Sequence, residues 1–303
     1  MTFNVWRGGI QVSLGQIAEV IRAAAPDIVG LQEPEGNTRH LADMLGWPCA
    51  DEGLHLISRF PLFRLAADDQ PDRSGRFGDQ SVTLVEIRPG AVVALANLHL
   101  VPFPAGQEND RALDRRRRDE LGSHVAQLQP LAKRGMPAFL IGDFNGASPL
   151  DLPTSVEREN SLLHLPARAG FRDSYREVHP DPAARPGITW SPGCPHPRPY
   201  PDLTPERIDY ILAAGPCRVL ASRILGETGG PDVDIGLLPW PSDHRAVVSD
   251  FELTPAFPGD AVTVERAAVV QGAPVVIRYL TALQDDGKRV GIRDGSGRVM
   301  TAM

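Results

Sequence analysis

Short polar clusters stand at or just beyond the ends of apolar runs that predict β-strands. The six clusters are Asn4, Gln32-Glu33, Asn97-Leu98-His99, Gly142-Asp143-Phe144-Asn145, Arg207-Ile208-Asp209-Tyr210 and Ser242-Asp243-His244. Loops at strand ends can project side chains into a common cleft. A single acidic residue after a strand is usually a cap or turn residue, so the prediction of an active site depends on all six clusters together.

The residue types in these clusters fit hydrolysis of a phosphate ester. Carboxylate and amide oxygens suit a hard cation such as Mg²⁺ or Mn²⁺, which keeps few protein ligands and binds water and substrate phosphate. Such a cation neutralises phosphate charge and stabilises the leaving oxygen. A carboxylate away from the metal can orient or deprotonate water, and a histidine backed by an aspartate can protonate a leaving group or bind phosphate. We therefore expect a metal-dependent phosphoesterase that uses an activated water in an in-line attack.

The elements that must position these clusters alternate between strands and helices. Ser13 is expected to cap an amphipathic helix, and Gly46 to end a second helix that starts at Asn37. A long charged helix is expected from about 109 to 132. Strands are expected over 2–6, 28–32, 55–58, 62–66, 81–87, 92–98, 138–141, 207–213, 219–226 and 245–253. Largely antiparallel strands interspersed with helices predict an α/β (α+β) fold with mixed sheets covered by helices.

The residue pattern of the chain changes after Pro255. Four short strands are expected there, over 261–270, 275–281, 289–293 and 298–301. A segment of that size is at the margin for folding alone. We predict a catalytic domain over 1–254 and a small β-rich C-terminal appendage over 255–303. The proline-rich stretch between Pro186 and Pro205 is either a stiff surface loop or a functional one.

Composition excludes some classes of protein. The net charge of −7 and the pI near 5.6 give no overall attraction to nucleic acid. No run approaches the roughly 20 apolar residues of a transmembrane segment. The three cysteines, Cys49, Cys194 and Cys217, have no Cys-x-x-Cys spacing, which favours a reducing compartment. We expect a cytoplasmic protein without a signal peptide, because a strand-like run starts at Thr2; secretion would need a further N-terminal segment.

The order of the clusters resembles a known group of enzymes. Together with Ser58-Arg59-Phe60-Pro61, the clusters follow the sequence pattern of the endonuclease/exonuclease/phosphatase superfamily. That superfamily includes pancreatic-type deoxyribonucleases, apurinic endonucleases, bacterial sphingomyelinases and inositol polyphosphate phosphatases. The resemblance spans about residues 1 to 253. It implies a four-layer αββα sandwich of two mixed sheets, with the cleft at one rim of the sheets.

The resemblance also implies a metal site. Glu33 would be the principal ligand, with Asn4 beside it and Asp243 near the metal. The apurinic branch has an acidic residue two positions after the first asparagine, where this chain has Trp6. That departure argues against repair of apurinic sites and leaves the other site residues in place.

The remaining roles concern the reacting groups. By resemblance, Asp143 would position or deprotonate the water and Asn145 would hold a phosphate oxygen. His244 would contact the scissile phosphate and be oriented by Asp209. His99 matches the histidine that helps protonate the leaving group in the deoxyribonuclease and sphingomyelinase branches.

Substrate-binding groups are predicted from weaker signals. Arg111, Arg115 and Arg118 fall on one stripe of the long helix and form either a phosphate clamp or a solvated face balanced by aspartates. Tryptophans that flank the motif loops stack on a substrate ring or belong to the core. The full set of candidates is Arg111, Arg115, Trp190, His196, Arg198, Tyr200, Arg207 and Trp240.

Three functions compete at this stage. The sequence favours a hydrolase acting on a phosphorylated small molecule, such as a metabolite, a nucleotide or a lipid headgroup. A metal-dependent nuclease is the alternative, because the motifs serve the phosphate and the metal rather than the rest of the substrate. A catalytically inactive binding protein is a distant third, since Glu33, Asp143 and His244 are all present.

Overall fold

A computed structural model of the chain describes residues 1–64, 82–88, 91–102, 111–152, 154–190 and 205–253, together with four short strands between residues 262 and 300. The chain divides into two compact units, Met1–Phe257 and Pro258–Met303. All of the motif clusters belong to the first unit. The predicted boundary between a catalytic domain and an appendage after residue 254 stays a prediction.

The helices begin and end where local chemistry predicts. The Ser13 hydroxyl accepts a hydrogen bond from the backbone N–H of Gln16 at 3.1 Å, which caps the first helix. Gly46 has a φ of 69°, a left-handed conformation that ends the second helix. The α-helices of the described residues are α1 Leu14–Ala24, α2 Thr38–Leu45, α3 Arg111–Lys133, α4 Ser155–Asn160, α5 His164–Arg168 and α6 Ser174–Val178.

The first sheet has seven strands. They are β1 Thr2–Asn4, β2 Ile28–Gln32, β3 Cys49–Asp51, β4 Leu56–Ser58, β11 Cys217–Gly226, β12 Ile235–Gly236 and β13 Ala246–Leu253, in the order β12-β11-β13-β1-β2-β4-β3. β1 and β2 are parallel, and β13 runs antiparallel to β1. The ends of β1 and β2 therefore lie beside the start of β13.

The second sheet has six strands. They are β5 Leu62–Arg64, β6 Thr83–Arg88, β7 Ala91–His99, β8 Ala138–Asp143, β9 Arg172–Asp173 and β10 Asp209–Ala214, in the order β5-β6-β7-β8-β10-β9. β7 and β8 are parallel and place His99 beside Asp143. β10 is antiparallel to β8 and places Asp209 beside Asp143. The central strands β7, β8 and β10 are buried along almost their whole length.

Three apolar cores separate four layers. One core joins α1 and α2 to the outer face of the first sheet, through residues such as Ile17, Leu41 and Phe3. A second joins α3 and α5 to the second sheet. The third lies between the sheets and includes Leu56 and Ile141. The structure thus confirms the predicted αββα sandwich of two mixed sheets.

Several short elements escaped prediction. Strands β3, β9 and β12 and helices α4 to α6 span only two to six residues each, too few for a hydrophobic period to show. In the second unit, β14 Val262–Val264 pairs with β15 Ile277–Tyr279, and β16 Ile292–Arg293 pairs with β17 Val299–Met300. The rest of the strands predicted there lies outside the described residues. Among the described residues, no helix has the length and apolar character needed to cross a membrane.

Candidate active site

The polar clusters meet at one rim of the two sheets. Asn4 ends β1, and Glu33 directly follows β2. His99 and Asp143 end β7 and β8 of the other sheet. The starts of β10 and β13 come to the same rim because these strands run antiparallel to their neighbours. The strand registers bring these residues together within each sheet, and the packing of one sheet on the other brings both sets to the same rim.

Asp143 lies at the centre of this group. Its side chain is 1% exposed. One carboxylate oxygen, Oδ2, accepts a hydrogen bond from Asn4 Nδ2 at 3.1 Å and lies 3.6 Å from His99 Nε2 and 3.8 Å from His244 Nε2. The other oxygen accepts from the backbone N–H of Asn145 at 2.9 Å. Burial raises the pKa of Asp143 to about 6, an increase that Asp209 enlarges and the two histidines oppose.

His244 is held by a buried carboxylate. Its Nδ1 lies 3.0 Å from Asp209 Oδ2, which leaves Nε2 facing Asp143. Its backbone N–H donates to the Ser242 hydroxyl at 3.1 Å. Burial disfavours the charged imidazolium, but Asp209 and the neighbouring Asp143 and Asp243 outweigh burial and raise the pKa of His244 to about 10. His244 is therefore a positively charged group at neutral pH.

Asp209 is positioned by a threonine that sequence reasoning missed. The Thr189 hydroxyl accepts from the backbone N–H groups of Ile208 and Asp209, both at 3.0 Å. Thr189 is fully buried beside Trp190, whose backbone bridges to His244. Its position near the start of the Pro186–Pro205 stretch gave no signal, because that stretch has no strand or helix period.

Two groups of titratable side chains surround the cleft. Ligand atoms of Asp143, Asp209 and His244 all lie within 4.8 Å of one another. His244 Nδ1 is hydrogen-bonded to Asp209 and its Nε2 lies 3.8 Å from Asp143 Oδ2, so a protonated His244 is an ion-pair partner of both carboxylates rather than a cation ligand. Glu33 and Asp243 form the second group and are the oxygen donors left for a cation.

The Glu33 and Asp243 carboxylates fit a hard divalent cation. Glu33 accepts from the Arg7 backbone N–H at 2.9 Å, and this bond together with nearby histidines lowers its pKa in spite of burial. Burial raises the pKa of Asp243, His244 opposes this, and the Glu33 charge adds to it. Asp243 Oδ1 is buried without a hydrogen bond in the described part of the chain. Two facing carboxylates, one of them with an unsatisfied oxygen, suit Mg²⁺ or Mn²⁺.

Asn4, predicted as a metal ligand, hydrogen-bonds two carboxylates of the cleft. Its Oδ1 accepts from the Trp6 backbone N–H at 3.1 Å, while its Nδ2 donates to both Glu33 Oε1 at 3.3 Å and Asp143 Oδ2. The side chain is fully buried. The amide therefore presents hydrogens to the cleft rather than a ligand oxygen. This geometry favours a role for Asn4 in setting the distance between the Glu33 and Asp143 carboxylates, rather than its predicted role as a metal ligand.

Backbone strain concentrates around the cleft. Among residues other than glycine, Trp6, Arg7, Glu33, His55 and Asn145 have φ values between 46° and 56°. Such conformations cost energy and persist where the surroundings fix them. Asn145 is fixed because its Nδ2 donates to Leu100 O at 2.8 Å, and the second amide hydrogen can bind a phosphate oxygen. His55 was not predicted, yet it lies close enough to His99 that the two charges interact.

Arg207 does not bind substrate, which corrects the prediction. It is 3% exposed, its Nε donates to Asp151 Oδ2 at 2.8 Å and its Nη2 donates to Asp173 Oδ2 at 2.7 Å. Its guanidinium also stacks over the Tyr210 ring at 4.6 Å. A buried arginine that spans two carboxylates holds the start of β10 against the loop after β8. Its partners are distant in sequence, so the motif alone could not reveal this role.

Trp240 is also a core residue rather than a substrate-stacking one. It is 1% exposed, and its ring packs 5.5 Å from the ring of Phe3. Its Nε1 donates to His244 O at 2.8 Å, so it supports the catalytic loop from behind. Trp190 is half-buried at the His244 side of the site. His196, Arg198 and Tyr200 lie outside the described residues.

The arginines of α3 differ from the predicted stripe. Arg111 and Arg115 are exposed, and Arg118 donates to Asp114 at 2.7 Å. The inward-facing residue is Arg117, which is 4% exposed and was not predicted. Burial lowers the pKa of Arg117 to about 10, and the carboxylates that oppose this include Asp143. One side of α3 thus brings a buried positive charge toward the site.

The His244–Asp209 pair should make stability depend on pH. The pKa of His244 is near 10 in the folded state and about 6.5 in the unfolded state, so the protonated imidazole stabilises the fold. This stabilisation is fully present below pH 6.5 and is lost as the pH rises through 10. In EDTA, the difference in free energy of unfolding between wild type and Asp209→Asn should shrink from pH 7 to 10, by up to about 1.4 kcal/mol per unit. Urea titrations measure it. The exposed Glu252→Gln is the control and should differ from wild type in free energy of unfolding by a small amount that does not change with pH. If Asp209→Asn gave the same pH-independent difference, the raised pKa of His244 would be refuted.

Comparisons with known proteins agree with this geometry. The model of the Endonuclease/Exonuclease/phosphatase family matches residues 1–244. An uncharacterized protein of Caenorhabditis elegans is 30% identical over an alignment of 293 residues. The alignment covers 83% of this chain and 90% of that protein. Danio rerio TDP2 complexed with a single-strand DNA product has a TM-score of 0.57 at 19% identity, over 83% of this chain and 97% of that one.

A bacterial structure has the same fold. The 3′ phosphatase NExo from Neisseria, bound to a product DNA hairpin, has a TM-score of 0.56 at 22% identity, over 83% of this chain and 98% of that one. Both structures share the fold of this chain. The chain belongs to the endonuclease/exonuclease/phosphatase family, whose members are metal-dependent hydrolases of phosphate esters.

Proposed function

We propose that this chain is a Mg²⁺-dependent hydrolase that cleaves the phosphate ester of a small metabolite, a nucleotide or a lipid headgroup by in-line attack of water. The observation that supports it best is the convergence on Asp143 Oδ2 of Asn4, His99 and His244. One carboxylate oxygen is thereby surrounded by the groups that a phosphoryl transfer to water needs.

Glu33 and Asp243 would hold the cation in this proposal. A bound Mg²⁺ supplies charge neutralisation at the phosphate and at the leaving oxygen. Mg²⁺ prefers oxygen donors and keeps several waters, which agrees with the small number of carboxylates available. Mn²⁺ accepts the same donors and is the alternative. Asn4 keeps Glu33 and Asp143 apart, so that the first can bind metal while the second stays available to water.

Asp143 is the proposed base. Its pKa of about 6 lies close to neutral pH, where a base is both ionised and able to accept a proton. The water would lie between Asp143 and the phosphorus, and Asn145 would hold a phosphate oxygen. His244 would contact the phosphate as a fixed positive charge, because Asp209 keeps it protonated. His99, on the other side of Asp143 Oδ2, would protonate the leaving oxygen.

The charges near the cleft support a small substrate. Duplex binding depends on several arginine or lysine contacts to phosphates. The densest arginine run, Arg115 to Arg118 on α3, is partly paired within the helix: Arg116 with Glu120 at 2.8 Å, and Arg118 with Asp114 at 2.7 Å, whereas Arg115 is exposed. Trp6, where the apurinic branch has an acid, also separates the chain from that branch.

A nuclease activity is the second candidate. Its support is that two proteins of the same fold, TDP2 and NExo, were solved with DNA products. A locally positive groove can exist on an acidic protein, and Arg111 and Arg115 are exposed at the start of α3. The substrate comparison below separates the two candidates.

We also propose a cytoplasmic location. Cys49 and Cys217 are free cysteines among the described residues, and each is half-buried. Free thiols in a protein of this composition fit a reducing compartment.

Removal of the metal or of its main ligand should abolish activity. Glu33→Gln keeps the side-chain volume but replaces a carboxylate by a neutral amide, a poorer ligand for a hard cation. We expect loss of most turnover and weaker Mg²⁺ binding by calorimetry, whereas the exposed Glu35→Gln should behave as wild type. EDTA should stop the wild-type reaction and added Mg²⁺ or Mn²⁺ should restore it. Full activity in EDTA would exclude the metal mechanism.

The two histidines should respond differently to the leaving group. His244→Ala should lower kcat by about 10²-fold or more on all esters, because a positioned charge on the phosphate is lost. His99→Ala should cost much less with nitrophenolate, which leaves without protonation, than with an alkoxide. The exposed His40→Ala is the control. An equal loss for His99→Ala on both kinds of ester would show that His99 is not the acid.

The substrate class should show in relative specificity. We expect a higher kcat/KM on small phosphate mono- or diesters than on plasmid or apurinic duplex DNA at moderate salt, since the paired arginines leave few contacts for a duplex. Asp143→Ala serves as the inactive control for contaminating enzymes. Strong nicking that falls steeply with salt, with negligible turnover of small esters, would establish the nuclease candidate instead.

A further inference from the structure

The groups of the candidate site are divided between the two sheets. Asn4, Glu33 and His244 belong to the first sheet or its loops, whereas His99 and Asp143 belong to the second. The distances that matter most, such as 3.1 Å from Asn4 Nδ2 to Asp143 Oδ2, therefore cross from one sheet to the other. They depend on how the sheets are aligned.

Apolar packing alone leaves this alignment loosely specified. The core between the sheets consists of aliphatic and aromatic side chains such as Leu56, Leu95 and Ile141. Hydrophobic attraction is strong but has no direction. A displacement of about 1 Å at an active site can cost about 10²-fold in rate. A directional contact between the sheets, beneath the cleft, would fix their alignment.

Asn97 on β7 makes such a contact. Its Oδ1 accepts from Gln32 Nε2 at 2.7 Å, and its Nδ2 donates to Leu31 O at 3.0 Å, Leu54 O at 3.1 Å and His55 O at 3.3 Å. Every one of these partners belongs to the first sheet or to the turn before β4. A single side chain of the second sheet is thus tied to the first at both ends of its amide, with the two Nδ2 hydrogens shared among three carbonyl oxygens.

The neighbouring residues are arranged to serve this contact. The Thr2 hydroxyl donates to Gln32 Oε1 at 3.1 Å, so the Gln32 amide is held with its hydrogens toward Asn97. Thr2 is fully buried and Gln32 is 1% exposed. At Gly30, a Cβ would lie 2.3 Å from Asn97 Oδ1, so only glycine leaves room for the amide.

The contact lies directly under the reacting groups. Gln32 immediately precedes Glu33, and Asn97 is two residues before His99 on the strand that places His99 beside Asp143. We propose that the Gln32–Asn97 pair is the positioning device that sets the spacing of Glu33 on one sheet from His99 and Asp143 on the other. Neither residue touches the substrate. The inference rests on the proposed function for the site itself.

Two variants test the pair. Asn97→Ala removes all four hydrogen bonds, and Gln32→Met removes the bond between the amides while it keeps the volume and neutrality of the side chain. We expect kcat to fall about 10-fold or more, KM to change less than threefold, and the Mn²⁺ dissociation constant to rise about 10-fold, as for residues that orient ligands. Mn²⁺ binding is measured by calorimetry without substrate.

A matched control separates positioning from general stability. The Ser174 hydroxyl donates to Ile211 O of the second sheet at 2.7 Å and bonds Ser249 of the first at 2.9 Å. Ser174→Ala therefore also removes a buried link between the sheets, but one outside the site. It should lower the melting temperature and leave kcat and the Mn²⁺ dissociation constant unchanged.

The outcomes distinguish this inference from the proposed function. Wild-type kcat and Mn²⁺ affinity in a folded Asn97→Ala or Gln32→Met protein would overturn the positioning role. Equal losses in Ser174→Ala and the pair variants would overturn it too, because a general loss of stability would then explain both. A wild-type protein that binds no Mn²⁺ or cleaves no phosphate ester would instead refute the proposed function.

Discussion

The burial of the Asp143 carboxylate is the constraint on which the rest of the site depends. An ionised carboxylate away from water is costly unless donors replace its hydration. Here the donors are Asn4 on the first sheet and the backbone of Asn145 in the loop that follows, and the imidazole nitrogens of His99 and His244 lie 3.6 and 3.8 Å from the carboxylate. Because some donors are on the opposite sheet, the carboxylate can be satisfied only when the two sheets meet at a fixed spacing. Folding of the sandwich and assembly of the site are the same event.

The strand ends must also be shaped to allow this meeting. Gly142 has a φ of 143°, and a Cβ there would lie 2.0 Å from Leu98 O, so β7 and β8 can approach only with glycine at this position. Glu33 has a φ of 56°, and its carbonyl accepts from Gly8 N at 2.7 Å. Each such conformation costs about 1–3 kcal/mol when held by a residue other than glycine. The hydrogen bonds around Glu33 and Asn145 offset that cost and fix the direction of both side chains.

Sequence reasoning predicted the parts of the site that depend on strand ends. Apolar runs locate the strands, and registers carry Glu33, His99 and Asp143 to one rim. It failed where a side chain's role depends on partners far along the chain. Arg207 was assigned to substrate because motif position does not reveal Asp151 and Asp173, which bury it. The same reason hides Thr189, Arg117 and the role of Asn97, which was predicted only as part of a motif: their importance comes from contacts across layers, which neither period nor spacing encodes.

The two histidines of the site are suited to different tasks. An acid catalyst is most effective when its pKa lies near the working pH. His244, with a pKa raised to about 10 by Asp209 and its neighbours, holds its proton too tightly for that task. A permanently charged imidazolium is, however, suited to stabilise the negative charge that develops on phosphate. We therefore propose that His99, on the opposite side of Asp143, would protonate the leaving oxygen. In this proposal, one carboxylate flanked by two histidines would provide a base, a fixed charge and an acid.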